Sequence, residues 1–404
     1  MDIDEEITAP PLSGLRVVEL GQLIAGPFCG QILGDFGADV IKVERMDGGD
    51  PMRNWGEIID GKSLSWAVIS RNKRSIKADL HSKTGQLLVS SLIQSADVLI
   101  ENFRPGTFDK FGFDDQSLLT LNPRLIVVRI SGFGQTGPDR DLPGYGSIGE
   151  AMGGLRYLTG DSDRVPSRIG VSIGDMLAGL HGVVGALLAL LARDRDGIGQ
   201  VVDVSIYESV LAVMEALVAD YQLAGVTHER SGSVLPGIAP SNIYDTADGG
   251  VLIAANQDSV FGRLAVALNR PEWIKDTRFA THVARGIHQT ELDEEISMFT
   301  RGKSSDELIK LFRKNGVPVG KLFTASEMLK DPQFQARKSI VEVPDDVLGL
   351  VPMQNTFPKL SRTPGSVRWP GPSLNEHENE ILTELNQIKP TARSHKKNNR
   401  KVQT

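Results

Sequence analysis

A single carboxylate, Asp175, stands where it could act as a nucleophile. It follows the tight run Gly170-Val-Ser-Ile-Gly174 and opens a long apolar stretch over residues 176–191. The unpaired N–H groups and the dipole at a helix N-terminus stabilise negative charge, so Asp175 could simply be the N-cap of this helix. The alternative is an ionised nucleophile, held charged by the same dipole and open to substrate because its neighbours are small.

The same glycine run matches the G-x-S-x-G pattern of a serine hydrolase. Ser172 would be the nucleophile, after a strand predicted over residues 165–169. Such an enzyme also needs an oxyanion-binding loop and a histidine later in the chain. No HGG-type motif precedes the serine, and the pattern singles out no later histidine. A hydrolase is therefore the less favoured alternative.

The first half of the chain alternates strand and helix patterns. We predict strands over residues 15–20, 39–44, 75–80, 97–101 and 124–130, and helices over 28–36, 83–94 and 114–121. This alternation predicts an α/β fold with a doubly wound parallel sheet. Ligands of such sheets bind beyond the carboxyl ends of the strands. We therefore expect binding in the loops 21–27, 45–53, 102–106 and 131–146.

Two more elements of the large domain are predicted after the Asp175 helix, and a smaller unit follows them. The pattern gives a strand at 200–205, a helix at 207–223 and a Gly/Pro/Ser-rich boundary or mobile loop at 225–240. Strands at 251–255 and 317–322 and helices at 260–268, 291–300 and 305–315 follow, then an extended Pro-rich segment at 341–373 and a closing helix at 376–385. The predicted domains are a large one at 1–224, a small one with linker at 225–340, a return linker and closing helix at 341–385, and a disordered basic tail at 386–404.

Composition excludes several classes of protein. The chain of 404 residues has a net charge of −7, and six Lys or Arg in the tail leave an acidic body that argues against a nucleic-acid surface. The apolar run 183–191 is too short for a membrane span, and the acidic start lacks a signal sequence, so the cytoplasm is expected. Cys29 is the only cysteine and the histidines lack metal-ligand spacing, so we expect no disulfide and no metal.

Basic residues are frequent in the N-terminal loops, where they could meet phosphate. They are Lys42, Arg45, Arg53, Arg71, Lys73, Arg74 and Lys110. Because arginine matches phosphate oxygens with two parallel hydrogen bonds, we infer a large polyphosphate ligand, either a nucleotide or coenzyme A. A β-α-β unit that ends in Glu44 resembles a dinucleotide-binding site, but its first turn, at 21–27, does not have the glycine spacing of the dinucleotide-binding motif. The G-x-G-x-x-G match at 144–149 lies too far beyond its strand to bind pyrophosphate.

Many ordered segments resemble the class III CoA-transferases, the family of formyl-CoA transferase, carnitine CoA-transferase and succinyl-CoA-dependent dicarboxylate transferases. They are Pro11-Leu-Ser-Gly-Leu-Arg-Val-Val-Glu-Leu20, Ala25-Gly-Pro27, Leu33-Gly-Asp-Phe-Gly-Ala-Asp-Val-Ile-Lys-Val-Glu44, Gly49-Asp-Pro51, Asn72-Lys-Arg-Ser75, Glu101-Asn-Phe-Arg-Pro-Gly106, Gly132-Phe-Gly-Gln-Thr-Gly-Pro138 and Gly174-Asp175. The resemblance covers about residues 11–385. It implies a Rossmann-like large domain and a small α+β domain, in a homodimer of two interlocked rings.

The resemblance also implies a mechanism and a set of ligand contacts. In similar enzymes the aspartate matching Asp175 attacks an acyl-CoA, and a mixed anhydride and an enzyme–CoA thioester follow before an acceptor carboxylate takes the CoA. Coenzyme A is then a substrate, as its thioester, and no cofactor is permanently bound. The matched CoA contacts are Leu23, Ile24, Ala25, Arg45, Ala78, Asn102, Phe103, Arg104, Lys110 and Tyr145.

Three departures and one match bear on the substrate. Pro143 replaces a lysine that touches CoA in formyl-CoA transferase, and the glycine run over that active site is here Ser231-Gly-Ser-Val-Leu-Pro-Gly237. The segment 235–241 resembles relatives that use succinyl-CoA with dicarboxylates. Related α-methylacyl-CoA racemases carry Gly-His-Asp where this chain has Gly144-Tyr-Gly146, and tyrosine is a poor base near neutral pH. A racemase and a non-catalytic CoA-binding protein are the remaining alternatives.

Overall fold

The computed structural model describes residues 9–387, which form two compact units. Unit 1 contains the described residues up to Gly153, then Ser172–Val213 and the residues from Lys338 onward; unit 2 contains Gly154–Val171 and Met214–Arg337. The acidic start at 1–6 and the basic tail from 388 on lie outside the described residues. The first two residues assigned to that tail, Asn386 and Gln387, instead end a helix. The domain boundaries given above stay predictions.

The strands, in chain order, are β1 (Arg16–Glu19), β2 (Asp39–Glu44), β3 (Ile58–Ile59), β4 (Lys62–Ser63), β5 (Lys73–Lys77), β6 (Val98–Glu101), β7 (Ile126–Ser131), β8 (Val201–Ser205), β9 (Ser241–Thr246), β10 (Gly249–Ala254), β11 (Val319–Lys321), β12 (Ile340–Asp345) and β13 (Gly349–Gln354).

The helices are α1 (Ala25–Asp35), α2 (Leu64–Ile69), α3 (Lys83–Ser95), α4 (Asp115–Leu121), α5 (Gly146–Met152), α6 (Leu155–Leu158), α7 (Ile173–Asp196), α8 (Ile206–Leu211), α9 (Leu217–Ala224), α10 (Asp258–Ala267), α11 (His282–Ile287), α12 (Gln289–Thr300), α13 (Ser305–Lys314), α14 (Ala325–Lys330), α15 (Pro332–Ala336) and α16 (Glu378–Gln387). Short 3-10 turns lie at Pro51–Asn54, Asp109–Phe111 and Pro271–Ile274.

Unit 1 is built on a six-stranded parallel sheet in the order β5-β2-β1-β6-β7-β8, which confirms the predicted α/β fold. Val18 of β1 pairs with Ile41 of β2 on one side and with Leu99 of β6 on the other. The order of the strands reverses between β1 and β6. In open parallel sheets such a reversal leaves a crevice at the carboxyl ends of the strands, where ligands bind.

Hydrophobic residues cover both faces of this sheet. Val17 packs on one face with Cys29 of α1 and Ala186 of α7, while its neighbour Val18 packs on the other with Val89 of α3. Adjacent residues of a strand point to opposite faces, so a continuous apolar strand must be buried on both. This explains why apolar residues stand next to each other in β1, β2 and β6 instead of alternating with polar ones.

Helix α7 lies close against α1 because small residues line its buried side. A Cβ atom on Gly179 would lie 2.9 Å from the carbonyl oxygen of Ala25, and one on Gly182 would lie 3.1 Å from Sγ of Cys29. By length and composition α7 could also cross a membrane, with a mean hydropathy of 1.8, which the run 183–191 alone did not reveal. Its small residues, including Ala178 and Ala186, are buried inside unit 1.

Several predicted elements are wrong. The helix predicted over 207–223 is broken into α8 and α9, and Glu215 between them has φ of 49°, which an α-helix does not allow. The strand predicted over 165–169 is absent from this described segment. The Pro-rich stretch over 341–373 is extended, as predicted, and it also contains most of the hairpin β12–β13, in which Val343 pairs with Val351. Neither α5 nor β9 was predicted.

Unit 2 contains a three-stranded antiparallel sheet in the order β11-β10-β9. Val251 and Ile253 of β10 pack in one cluster with Phe261 of α10 and with Leu308 and Phe312 of α13. The alternation of buried and exposed residues along β10 shows that helices cover one face of this sheet.

Candidate active site

Asp175 lies in the first turn of α7, but it is not the N-cap. The helix begins at Ile173 after Ser172, so Asp175 is the third helical residue. The N-cap interpretation is therefore wrong in position, although the carboxylate does lie at the positive end of the helix dipole. Ser172 takes the N-cap position, and without the strand predicted before it, the strand-to-helix elbow of a serine hydrolase does not form.

The first turns of α5 and α7 meet through two glycines. A Cβ atom on Gly174 would lie 2.9 Å from the carbonyl oxygen of Gly146. A Cβ atom on Gly146 would lie 2.8 Å from Cγ of Asp175 and closer still to Oδ2. One turn later, a Cβ atom on Gly149 would lie 2.9 Å from Cβ of Ile206. Gly149 therefore allows close packing on the start of α8, whereas Gly146 brings α5 against the Asp175 carboxylate.

The loop after β1 lies beside the helix that carries Asp175. Leu23 and Ile24 pack in one cluster with Trp66 and with Met176, the residue after Asp175. The Ala25 carbonyl faces the helix one turn further on, at Gly179. The structure thus brings three predicted CoA contacts, Leu23, Ile24 and Ala25, to the first two turns of α7.

Side chains from other loops hold the backbone of that loop. The Asn102 amide binds Gln22 twice: its Nδ2 donates to the Gln22 carbonyl at 2.8 Å, and its Oδ1 accepts the Gln22 N–H at 2.7 Å. The Leu23 N–H donates to Oδ1 of Asp50 at 3.1 Å, and Leu23 has φ of 64°, which few non-glycine residues adopt. Asn102, predicted to contact CoA, therefore ties together the loops after β1 and β6.

A buried ionic cluster lies beneath this loop. Lys42 pairs with Oδ2 of Asp50 at 2.8 Å and with Glu19 at 3.1 Å, and its Nζ donates to the Gly21 carbonyl. Lys73 pairs with Glu19 at 2.9 Å. All four side chains are almost completely buried. Burial lowers the pKa of Lys73, whereas the carboxylates around Lys42 outweigh burial and raise its pKa.

These contacts correct the inferred phosphate cluster. Five of its members form ion pairs with carboxylates of unit 1. Lys42 pairs with Glu19 and Asp50, Lys73 pairs with Glu19, and Arg53 pairs with Glu44. Arg71 pairs with Asp35, and Arg74 pairs with Asp39 and Glu384. A buried cation that already has a carboxylate partner is not available to a ligand without a large cost. Arg45 and Lys110 remain exposed.

Glu44 is also engaged, so it does not offer a carboxylate to a ribose. Arg53 donates to its two oxygens at 2.7 and 2.8 Å, and the Ser75 hydroxyl donates at 2.6 Å. Burial by itself would raise the pKa of Glu44, but these hydrogen bonds and the charge of Arg53 lower it. The dinucleotide alternative loses the acid on which it depended.

A cleft of about 570 Å³ opens at the carboxyl ends of β1, β2, β5 and β6. It contains three predicted CoA contacts, Arg45, Ala78 and Phe103. The Nε atom of Arg45 donates to the Gly49 carbonyl at 3.2 Å. The cleft lies at the strand-order reversal, where a ligand of this sheet is expected.

The other predicted contacts do not line this cleft. Arg104 and Lys110 are exposed on the loop after β6, and Tyr145 is 66% exposed immediately before α5. Sequence reasoning missed Gln22, His81 and Phe111, which do line the cleft. The His81 and Phe111 rings meet edge to face with centroids 5.1 Å apart. The available signal was position alone, because Gln22 and His81 follow β1 and β5.

A buried acid supports the loop after β6. Glu101 accepts the Phe103 N–H at 2.7 Å and pairs with Arg129 at 3.2 Å. Burial raises the pKa of Glu101 to about 7, against the opposing effect of the Arg129 charge. The described residues contain no group of three His, Cys, Asp or Glu side chains that could hold a metal ion.

Comparison with known proteins places these features in a family. The model of "CoA-transferase family III" matches residues 12–378. A succinyl-CoA–D-citramalate CoA-transferase of Chloroflexus aurantiacus is 55% identical, covering 93% of this chain and 94% of that protein. A succinate–glutarate CoA-transferase of Agrobacterium fabrum is 40% identical, covering 95% of this chain and 98% of that protein.

A solved structure shares the fold over nearly the whole chain. The crystal structure of a CAIB/BAIF family protein from Brucella suis has a TM-score of 0.84 and 38% identity, covering 94% of this chain and all of that one. The family match and these relatives agree with the motif-based resemblance. The chain belongs to CoA-transferase family III and is a CoA-transferase.

Proposed function

We propose that this enzyme moves CoA from succinyl-CoA to a small dicarboxylic acid, with Asp175 as the nucleophile. The observation that carries the proposal is the position of the Asp175 carboxylate against Gly146, in the first turn of α7, where the next residue, Met176, packs with the loop that holds Leu23 and Ile24. A carboxylate nucleophile suits exchange between a thioester and a carboxylate, because its attack on the thioester gives an anhydride that the CoA thiolate can open again.

The proposed steps balance without a net proton transfer. The Asp175 carboxylate attacks the succinyl carbonyl, the C–S bond breaks, and CoA leaves as thiolate. The thiolate attacks the Asp175 acyl carbon of this mixed anhydride, which releases succinate and forms an enzyme–CoA thioester. The acceptor carboxylate then attacks that thioester, and the released thiolate attacks the acceptor carbonyl, which regenerates Asp175. The N–H groups at the start of α7 would stabilise the oxyanions.

The CoA moiety is proposed to occupy the cleft and the adjoining loops. Its contacts would be the ten residues named from the resemblance, of which Arg45, Ala78 and Phe103 lie in the cleft and Leu23, Ile24 and Ala25 lie beside α7. Arg104, Lys110 and Tyr145 would contact CoA from exposed positions, and Asn102 would act by holding Gln22. The cleft combines apolar side chains, including Phe103 and Phe111, with polar ones and Arg45, and such a mixed lining suits an adenine ring and its phosphates.

Replacing Arg45 with alanine is expected to weaken CoA binding by about 1.5–3 kcal/mol, because a charge-assisted hydrogen bond to phosphate would be lost. Calorimetric titration with CoA measures the change. Arg104→Ala provides a comparison on the neighbouring loop. Unchanged affinity in the Arg45 variant would show that its guanidinium is only a solvated surface group.

The choice of a dicarboxylate rests on the relatives, whose names give citramalate and glutarate as acceptors. Purified enzyme is incubated with succinyl-CoA and a panel of carboxylic acids. We expect mass spectrometry to detect CoA thioesters of the dicarboxylic acids and an equal amount of free succinate. Acceptance of long-chain or branched monocarboxylates alone would contradict the dicarboxylate assignment. A hydrolase would release CoA without an acceptor, and a racemase would exchange the α-hydrogen without CoA transfer.

We further propose a cytoplasmic homodimer of interlocked chains. Five apolar residues of α7 are exposed along one side of the helix: Leu180, Val184, Leu187, Leu188 and Leu191. Positions spaced by three and four residues form one continuous stripe, and a stripe of this size normally contacts another surface. Light scattering should give a mass near 88 kDa, twice the 43.8 kDa of the chain. A monomer that retains full activity would contradict this proposal, and cell fractionation checks the location.

A further inference from the structure

Gly146 differs from the other closely packed glycines near the site. The three atoms nearest to a Cβ placed on Gly146 are all carboxyl atoms of Asp175, with Cγ at 2.8 Å and Oδ1 at 3.3 Å. A Cβ on Gly174 would instead meet the backbone oxygen of Gly146, and one on Gly149 would meet Ile206. Packing of the fold thus requires glycine at positions 174 and 149, whereas at position 146 the carboxyl group of the proposed nucleophile requires it.

We propose that Gly146 is a positioning residue for Asp175. Its missing side chain leaves the space in which the carboxylate lies against the first turn of α5, and this contact sets the side-chain conformation from which Asp175 attacks. The inference rests on the proposed role of Asp175. It adds that a second helix, and not α7 alone, determines where the nucleophile stands.

Helix propensity gives an independent reason to look for such a role. Gly146 is the first residue of α5, it is buried, and its φ is not in the left-handed region. At such a position alanine favours the helix over glycine, because glycine loses more backbone freedom on folding. Backbone geometry therefore does not require glycine here. The required feature is room for the Asp175 carboxyl group.

The effect of an added methyl group follows from the geometry. Non-bonded carbon and oxygen atoms do not approach within the distances that a Cβ on Gly146 would impose, so the Asp175 carboxyl group must rotate away. Only the end of one side chain has to move, so the fold is retained. A displacement of about 1 Å at a reacting atom reduces the rate by about 10²-fold.

Gly146→Ala is therefore expected to lower kcat by about 10²-fold, with CoA affinity unchanged within about threefold. Quenched-flow mass spectrometry should show the same loss in the rate at which the enzyme–CoA thioester forms. Gly185→Ala is the matched control on α7. A methyl group there overlaps Cγ1 of Val202, about 15 Å along the helix from Asp175. It should lower Tm but leave kcat of the folded enzyme near that of the wild type.

A double variant separates positioning from packing. If the Asp175 carboxyl group is the only obstacle, Gly146→Ala added to Asp175→Ala should leave Tm equal or higher, because the methyl group then favours the helix without a clash. A lower Tm in that background would show that Gly146 serves packing, and would overturn the inference. Wild-type kcat in Gly146→Ala would overturn it too. The proposed function fails separately, if Asp175→Asn keeps its turnover.

Discussion

Asp175→Asn is expected to abolish CoA transfer while the enzyme stays folded and binds CoA. The amide cannot form the mixed anhydride, so we expect turnover to fall by about 10⁴-fold or more, as when other covalent nucleophiles are removed. Asparagine has nearly the same shape, so the contact with Gly146 is kept. Mass spectrometry of acyl-CoA products gives the rate, and calorimetric titration gives the CoA affinity.

The control is a second Asp→Asn change on the same helix. Asp194 is exposed in the last turn of α7, far from the first turn that carries Asp175. Asp194→Asn should keep wild-type turnover. Asp175→Ala is measured beside the Asn variant, because slow deamidation of asparagine can restore aspartate. Turnover retained in both Asp175 variants would rule out covalent catalysis at this position.

The sheet could be predicted because its strands are marked locally. The apolar runs of β1, β2 and β6 are bounded by turn residues, and β2 was predicted over the same residues that the structure shows. The order of elements then requires right-handed crossovers and places the loops after β1 and β6 at the crevice. The loop 21–27 could be predicted as a binding loop for this reason, whereas the individual contacts at 23–25 came from the family resemblance.

The ionic cluster could not be predicted, because its partners are far apart in the sequence. Lys42 and Lys73 were interpreted as part of a phosphate-binding cluster, and nothing near either residue in the sequence identifies Glu19 as the shared partner. The role of Gly146 was hidden for a related reason. Its spacing with Gly144 and Gly149 resembles a phosphate-binding motif, whereas the contact that explains it comes from Asp175, on another helix.

Lys42→Met is expected to lower the free energy of unfolding by about 3–5 kcal/mol, the usual cost of leaving a buried charge without its partner. Lys42 is 1% exposed and forms an ion pair with Asp50. When Lys42 is removed, Glu19 still has its ion pair with Lys73. Methionine fills much of the same volume without the charge. Urea unfolding measures the loss. Lys83→Met, at an exposed position, should change stability by less than about 0.5 kcal/mol.

The loss should depend on pH with a defined sign. Burial alone would raise the pKa of Asp50, but the charge and hydrogen bond of Lys42 outweigh burial and lower it. In the wild type Asp50 therefore contributes stability above its unfolded pKa, and this is lost as pH falls through the lower folded pKa. Without Lys42 the pKa of Asp50 should rise, so that a proton relieves the buried charge at acid pH. The deficit should be larger at pH 8 than at pH 5.

Function should change together with stability, because the same cluster holds the CoA-binding loop. Lys42 donates to the Gly21 carbonyl, and Asp50 accepts from the Leu23 N–H. When Lys42 is lost, the loop that carries Leu23 and Ile24 has one fewer anchor, so we expect weaker CoA binding in the Lys42→Met variant even where it is fully folded. An equal stability deficit at both pH values would mean that Asp50 and Lys42 are not electrostatically coupled. Unchanged CoA affinity would mean that Asn102 and Asp50 alone fix the loop.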